Sequence, residues 1–232
     1  MAKIKRSFSN HIYHNELISK NDKILLAVSG GVDSLVMAKL FRDYSHKSNL
    51  NIRVAAAYVD IKQVSLGPAK KAQLKSRLDK FGLDLKIIET GISGDEDYNC
   101  YICSKERRKQ LFTYYDNNNF DAIAFGHHRD DLIETGFMNL IRHGNLNTLK
   151  SLDYMFDGII KVIRPLLATP KKTILHYANQ NQIEPLARDH CKYGDNSKRS
   201  EIREYIRMIS GNNEAFKENL YNAILDYNSR EY

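Results

Sequence analysis

ILLAVSGGVDSLVMAKL, Ile24–Leu40, is the stretch from which the fold can be read. Ile24 to Val28 are apolar and β-favouring without polar alternation, as in a strand covered on both faces. Ser29-Gly30-Gly31 breaks the run, because adjacent glycines accept positive φ and let another group come close to the backbone. Past Asp33-Ser34, helical spacing predicts a helix over Leu35–Tyr44. A strand turning sharply into a helix gathers loop and helix N–H groups at one concavity, and the Ser29 and Ser34 hydroxyls add to it. That concavity suits an anion. The loop is neither GxxxxGK[ST] nor GxGxxG. Asp33 adds a condition, since a carboxylate in a phosphate loop is repulsive unless a hard cation such as Mg²⁺ stands between. A Gly-rich turn merely capped by Asp and Ser is the plainer alternative.

Outward from this stretch, short apolar runs alternate with helical segments. Val54–Val59, Leu85–Ile88, Ala122–Phe125 and Ile159–Ile163 read as further strands. Pro68–Phe81, Ser104–Asn117 and Asp131–Arg142 read as the helices between them, and after Pro165 the chain turns mostly helical. Alternation of this kind predicts an α/β fold: a parallel, Rossmann-like sheet with helices on both faces and a ligand beyond the strands' carboxyl ends. Residues 1–20 are expected to form a basic helical extension, and residues 21–232 a single domain. No apolar run is long enough to span a bilayer, and the basic start lacks the apolar core of a secretory signal, so no membrane partner and a cytoplasmic address are expected.

AIAFGHHRDDLIETGFMNL, Ala122–Leu140, is a second strand-loop-helix unit. Gly126 would allow a nucleotide to approach, and Asp130 and Asp131 place carboxylates at a helix start, where the dipole favours them. Simple capping explains them equally well in isolation. Beside a phosphate loop, Asp131 is the better second carboxylate for Mg²⁺-bound ATP.

The chain has three cysteines, an odd number that argues against a disulfide framework, as does a reducing compartment. Cys100 and Cys103 stand three apart and Cys191 is distant. Three thiolates with His190 or another His could bind zinc, three alone could bind a [4Fe–4S] cluster with one open iron, or Cys191 is a buried thiol and the Cys100–Cys103 pair binds zinc or nothing.

The SGGVDS loop resembles that of the PP-loop ATP pyrophosphatases. GHHRDD followed by ETGFMN, together with AYVDIKQ (Ala57–Gln63), CYICSKERRKQLF (Cys100–Phe112) and VIRPL (Val162–Leu166), is similar to one branch of them, the tRNA 2-thiocytidine synthetases. The resemblance covers roughly residues 24–207 and implies a sheet of about five parallel strands. It implies ATP bound by Ala27, Ser29, Gly30, Gly31, Asp33, Ser34, Asp60, Gly126 and Asp131, with Asp33, Asp131 and Arg107 serving catalysis. It implies a [4Fe–4S] cluster on Cys100, Cys103 and Cys191. The branch's second CxxC is incomplete here, because HCKYG (His190–Gly194) has glycine where its last cysteine would stand; a three-ligand cluster tolerates that loss. The implied reaction adenylates a tRNA base carbonyl, with cytidine in the anticodon loop as the expected target, and replaces oxygen by sulfur. Implied partners are tRNA and a sulfur donor, either a cysteine desulfurase or free sulfide, and a homodimer is an implied assembly. The competing readings are a tRNA-isoleucine lysidine synthetase, a PP-loop iron–sulfur enzyme removing or inserting sulfur on a small molecule, and a non-enzymatic RNA- or nucleotide-binding module with a decayed site.

A net charge of +7 accords with either solubility or a polyanionic partner. Lys105, Arg107, Arg108 and Lys109 follow the cysteine pair, Arg199, Arg203 and Arg207 recur every four residues as one helical stripe, and Lys3, Lys5 and Arg6 lie near the N-terminus.

Overall fold

A computed structural model describes residues 2–91, 99–186, 198–211 and 213–230. In chain order the elements are α1 (Ala2–His14), β1 (Lys23–Ala27), α2 (Val32–Lys47), β2 (Arg53–Ile61), α3 (Gly67–Lys80), β3 (Leu85–Thr90) and α4 (Cys100–Asn117). There follow β4 (Ala122–Phe125), α5 (Arg129–His143), β5 (Leu152–Met155), β6 (Ile160–Ile163), α6 (Lys171–Gln180), α7 (Lys198–Ser210) and α8 (Glu214–Arg230).

One sheet runs in the order β3-β2-β1-β4-β6-β5. Its first five strands are parallel, with Leu25 of β1 opposite Ala55 of β2 and Ile123 of β4. The sheet has six strands rather than five. The sixth, β5, pairs antiparallel with β6 at the edge. Its hairpin closes where the Ile159 N–H donates to the Phe156 carbonyl, and the two central residues, Asp157 and Gly158, both have positive φ. Asp-Gly between two short apolar runs is a hairpin signal, and it was available in the sequence.

The strands alternate between two cores. Ile24, Leu26, Ala56, Tyr58, Ala122 and Ala124 face a cluster built from α1, α2, α3 and α6, whereas Leu25, Ala57, Val59, Ile123 and Val162 face Leu111 and Tyr115 of α4. Burial on both faces is why β1 reads as uninterrupted apolar sequence. A third cluster joins Leu132 and Ile133 of α5 to Ile202, Ile206 and Ile224 of α7 and α8. In α1, Ile4, Phe8 and Ile12 are buried in the first core, and the Phe8 ring meets Phe41 edge-on at 5.2 Å. Among the described residues no helix is long and apolar enough to cross a membrane.

β1 is flanked by β2 on one side and β4 on the other, and the connections leave it in opposite directions. The strand order thus reverses between β1 and β4, and in doubly wound folds the ligand crevice lies at the carboxyl edge of the sheet beside such a switch point.

Candidate nucleotide and thiolate site

The loop after β1 folds back on itself. Gly30 has φ of 78°, a conformation in which a side chain is strained, and a Cβ there would lie 3.0 Å from Leu186 Cδ1. Ser34 is buried; its hydroxyl donates to the Gly31 carbonyl at 2.8 Å and accepts from the Ser29 N–H at 3.2 Å. The Gly31 N–H donates to Ser29 Oγ at 3.3 Å. Both serines thus shape the loop from within. Gly31 is the N-cap of α2 and no side chain caps this end, so the helix presents its N–H groups and positive dipole end to the crevice.

Gly126 closes the other wall. A Cβ on it would stand 3.2 Å from both the Cα and the N of Ser34. The sequence suggested that Gly126 makes room for a nucleotide. In the structure it first makes room for the backbone of α2, bringing the loops after β1 and β4 into contact. Ala27 ends β1 between Ala57 and Phe125.

The carboxylates converge around His128. Its Nε2 lies 3.7 Å from Asp33 Oδ1 and 3.4 Å from Asp131 Oδ2, and its Nδ1 lies 3.8 Å from Asp130 Oδ2. Asp131 also accepts from the His128 backbone N–H at 2.9 Å, so it caps α5 while facing the crevice. Asp33 accepts from the Lys171 ammonium at 2.5 and 2.7 Å. Asp130 accepts from the Lys171 backbone N–H at 2.8 Å and lies 3.5 Å from Lys217 Nζ. Burial disfavours the charge on Asp130, but the Lys171 N–H, His128 and Lys217 outweigh it and hold this carboxyl below its usual range.

His127 stacks on Phe125 with ring centroids 5.8 Å apart. Burial pushes its imidazole down to about 4; Asp131 opposes this, while Arg164, Arg199 and His128 add to it. His127 is therefore neutral at physiological pH. Among the described residues, His127 Nδ1, His128 Nδ1, Arg164 Nε and Arg107 Nε are buried without hydrogen-bond partners.

Asp60, at the end of β2, is turned toward its own neighbourhood. It accepts from Ser65 Oγ at 2.7 Å and the Leu66 N–H at 3.3 Å, and Lys71 Nζ lies 3.0 Å away. Burial would raise its pKa, yet these partners hold it low. It fixes the segment after β2.

Cys100 and Cys103 occupy the first turn of α4, and Asn99 caps that turn by accepting from the Tyr101 and Ile102 N–H groups at 3.0 Å. Cys100 is exposed, and Cys103, a half-buried free thiol, packs on the α4-side core. Arg107 follows one turn later on the same face. Cys191, with His190 and Gly194, lies outside the described residues. The chain leads toward it from Leu186, whose N–H donates to the Gly30 carbonyl at 2.9 Å. No group of three or more His, Cys, Asp or Glu that could hold a metal is present among the described residues.

The basic stripe on α7 is largely occupied. Glu134 of α5, buried, accepts from Arg203 at 2.7 and 3.1 Å and lies 3.3 Å from Arg199 Nε. These arginines dock α7 on α5. Sequence reasoning missed Lys171, Lys217 and the bridging position of His128. Pro170 ahead of Lys171 marked a helix start, but nothing local marked its partner 138 residues away.

A family model for the PP-loop domain matches residues 1–208. A tRNA-cytidine(32) 2-sulfurtransferase 1 from Francisella philomiragia is 25% identical over 229 residues, spanning 96% of this chain and 88% of that one. A namesake from Francisella tularensis is 28% identical over 228 residues, spanning 95% and 84%. Among solved structures, the U34-tRNA thiolase NcsA from Methanococcus maripaludis, described with its [4Fe-4S] cluster, superposes with a TM-score of 0.81 at 24% identity. That match covers 97% of this chain and 78% of the thiolase.

Proposed function

This chain belongs to the PP-loop domain family, and we propose that it is an ATP-dependent tRNA sulfurtransferase that replaces a base carbonyl oxygen by sulfur, with cytidine as its target. One observation carries the reading: the SGGVDS loop and the start of α4 with its cysteine pair open on the same edge of the sheet. Leu186, the last described residue before Cys191, is bonded to Gly30 at that edge.

The residues present fit the groups such a reaction needs. The uncapped α2 terminus and the Gly30-Gly31 turn would receive phosphates, and Asp33 and Asp131 would hold a divalent cation against them. Cys100 and Cys103, with Cys191 from outside the described residues, would supply three thiolates, the donor chemistry of a [4Fe–4S] cluster with one open iron. When bound, ATP supplies an adenylyl group that makes the carbonyl oxygen a leaving group, and the cluster supplies an iron able to hold sulfide.

The chain itself positions and screens. Gly126 keeps both loops together, Asp131 fixes the start of α5, and neutral His127 offers a hydrogen bond without adding charge. Arg107, whose Nε has no hydrogen-bond partner, would meet anionic oxygens beside the cysteines. An anticodon-loop base is single-stranded and can be splayed into a pocket at low cost. The sulfur donor is either a cysteine desulfurase or free sulfide, and the setting is the cytoplasm.

Anaerobically purified protein is expected to be brown and to contain about four irons, as a [4Fe–4S] cluster requires. Cys191→Ala should lose that iron. A colourless protein holding zinc would sink the reading. Nucleoside mass spectrometry of tRNA from cells lacking the protein should show loss of a thiolated cytidine. Loss of lysidine instead would point to the synthetase alternative, and unaltered tRNA with an intact cluster to a small-molecule substrate. Asp33→Ala should abolish ATP consumption; unaffected turnover would remove the loop from the mechanism.

A further inference from the structure

Lys171 opens α6 and joins three segments. Its ammonium donates to both oxygens of Asp33 in the loop after β1, while its backbone N–H donates to Asp130 at the start of α5. The Lys171 and Asp33 side chains are 32% and 27% exposed, so ions and phosphates from solvent can reach both. Asp33, Asp130 and Asp131 put three carboxylates around a cradle otherwise built for an anion, with Lys217 3.5 Å from Asp130 and His128 between Asp33 and Asp131. Without a countercharge the three would repel a polyphosphate.

The position on Asp33 that a hard cation needs is held here by an ammonium. A divalent cation on these oxygens would stand within a few ångströms of that ammonium, and two positive charges so close repel. Lysine carries its charge on a flexible four-carbon stem, and the Lys171 backbone is pinned by Asp130, so the ammonium can change partner while α6 stays in place. Phosphate oxygens are the natural second partner for such a point charge.

We propose that Lys171 is a tethered countercation of the phosphate site. Without nucleotide it holds Asp33; when a divalent cation arrives with a polyphosphate, it yields the carboxylate and moves its ammonium to phosphate oxygens. It thereby opposes metal binding alone and favours metal and nucleotide binding together. This positioning role rests on reading the loop as a nucleotide site.

The test uses the full chain, with Mn²⁺ binding followed by electron paramagnetic resonance and Mn²⁺-ATP binding by calorimetry. Lys171→Met should bind Mn²⁺ alone about threefold more tightly and Mn²⁺-ATP about tenfold more weakly, the scale of one charge-assisted hydrogen bond. Lys171→Gln should shift both constants the same ways and serves if Lys171→Met does not melt cooperatively. Lys171→Arg, which keeps the charge, should recover most of the Mn²⁺-ATP affinity. If the uncharged variants leave Mn²⁺ affinity unchanged or lower it, or leave Mn²⁺-ATP affinity unchanged, Lys171 is only a structural tie and the inference is overturned. A wild-type protein that binds no Mn²⁺-ATP would overturn the nucleotide reading along with it.

Discussion

Gly126 shows how little room one residue can have at a crossing of two loops. A methyl group there meets backbone of α2, 3.2 Å from Ser34 Cα and N, and backbone cannot swing aside as a long side chain can. Gly126→Ala should therefore cost about 1–3 kcal/mol of stability, as overpacking does. It should also raise the KM for ATP by moving the α2 terminus; denaturant melts and ATP titration would measure the two effects. His127 makes a pH prediction. Its folded-state pKa, about 4, lies below the ordinary 6.5, so the unfolded chain takes up the proton first. The stability tied to neutral His127 is complete above about 6.5 and is lost as pH falls toward about 4. His127→Gln should flatten urea-melt stability across that window; an unchanged pH profile would show that the imidazole is not held neutral. Asp33, Gly30, Gly31 and Gly126 were legible in sequence because each marks a local backbone or charge constraint. Lys171 was not, since a lone lysine carries no sign of the carboxylate it will meet.

Among the elements, α1 is the instructive case. Its composition is basic, and a helical extension was the natural reading of residues 1–20. Its Ile4, Phe8 and Ile12, at helical spacing, are buried against α2, and Phe8 stacks edge-on with both Phe41 and Tyr44. Phe8→Ala should destabilise the protein by about 3–5 kcal/mol, the range for emptying a buried aromatic site, read from a denaturant melt. A loss below about 1 kcal/mol would mean that α1 is the detachable extension its charge suggested. The strand β5 went unread for another reason. It is only four residues long and lies at an edge, so it lacks the unbroken apolar run of the central strands. The Asp157-Gly158 turn was its one signal. In α7 the four-residue recurrence of arginines was visible, but their destination was not. Two of them meet Glu134, an acidic residue in the middle of α5 with no local mark of burial.

Across the molecule, the net charge of +7 takes on a more specific meaning once paired charges are set aside. Arg199 and Arg203 answer Glu134, Lys5 and Lys39 answer Asp43, and Lys171 answers Asp33. Lys105, Arg108 and Lys109 are exposed on α4, beside the cysteine pair. Replacing Lys105 and Lys109 with Ser should lower the slope of log Kd for tRNA against log salt by about 0.7–0.9 for each phosphate no longer neutralised. Arg203→Ser should leave that slope unchanged while loosening α7, and filter binding across a salt series would separate the two. The α/β class, the nucleotide-type loop and the candidate thiolates could all be read from the order of residues. They depend on short-range constraints: which residues turn a chain, alternate, cap a helix or ligate. The antiparallel edge, the burial of α1, the Glu134 docking of α7 and the Lys171–Asp33 tie emerged with the packed fold alone. In each, a charge or an apolar face acquires its partner from a segment far along the chain, and which partner it meets depends on how the helices pack around the sheet.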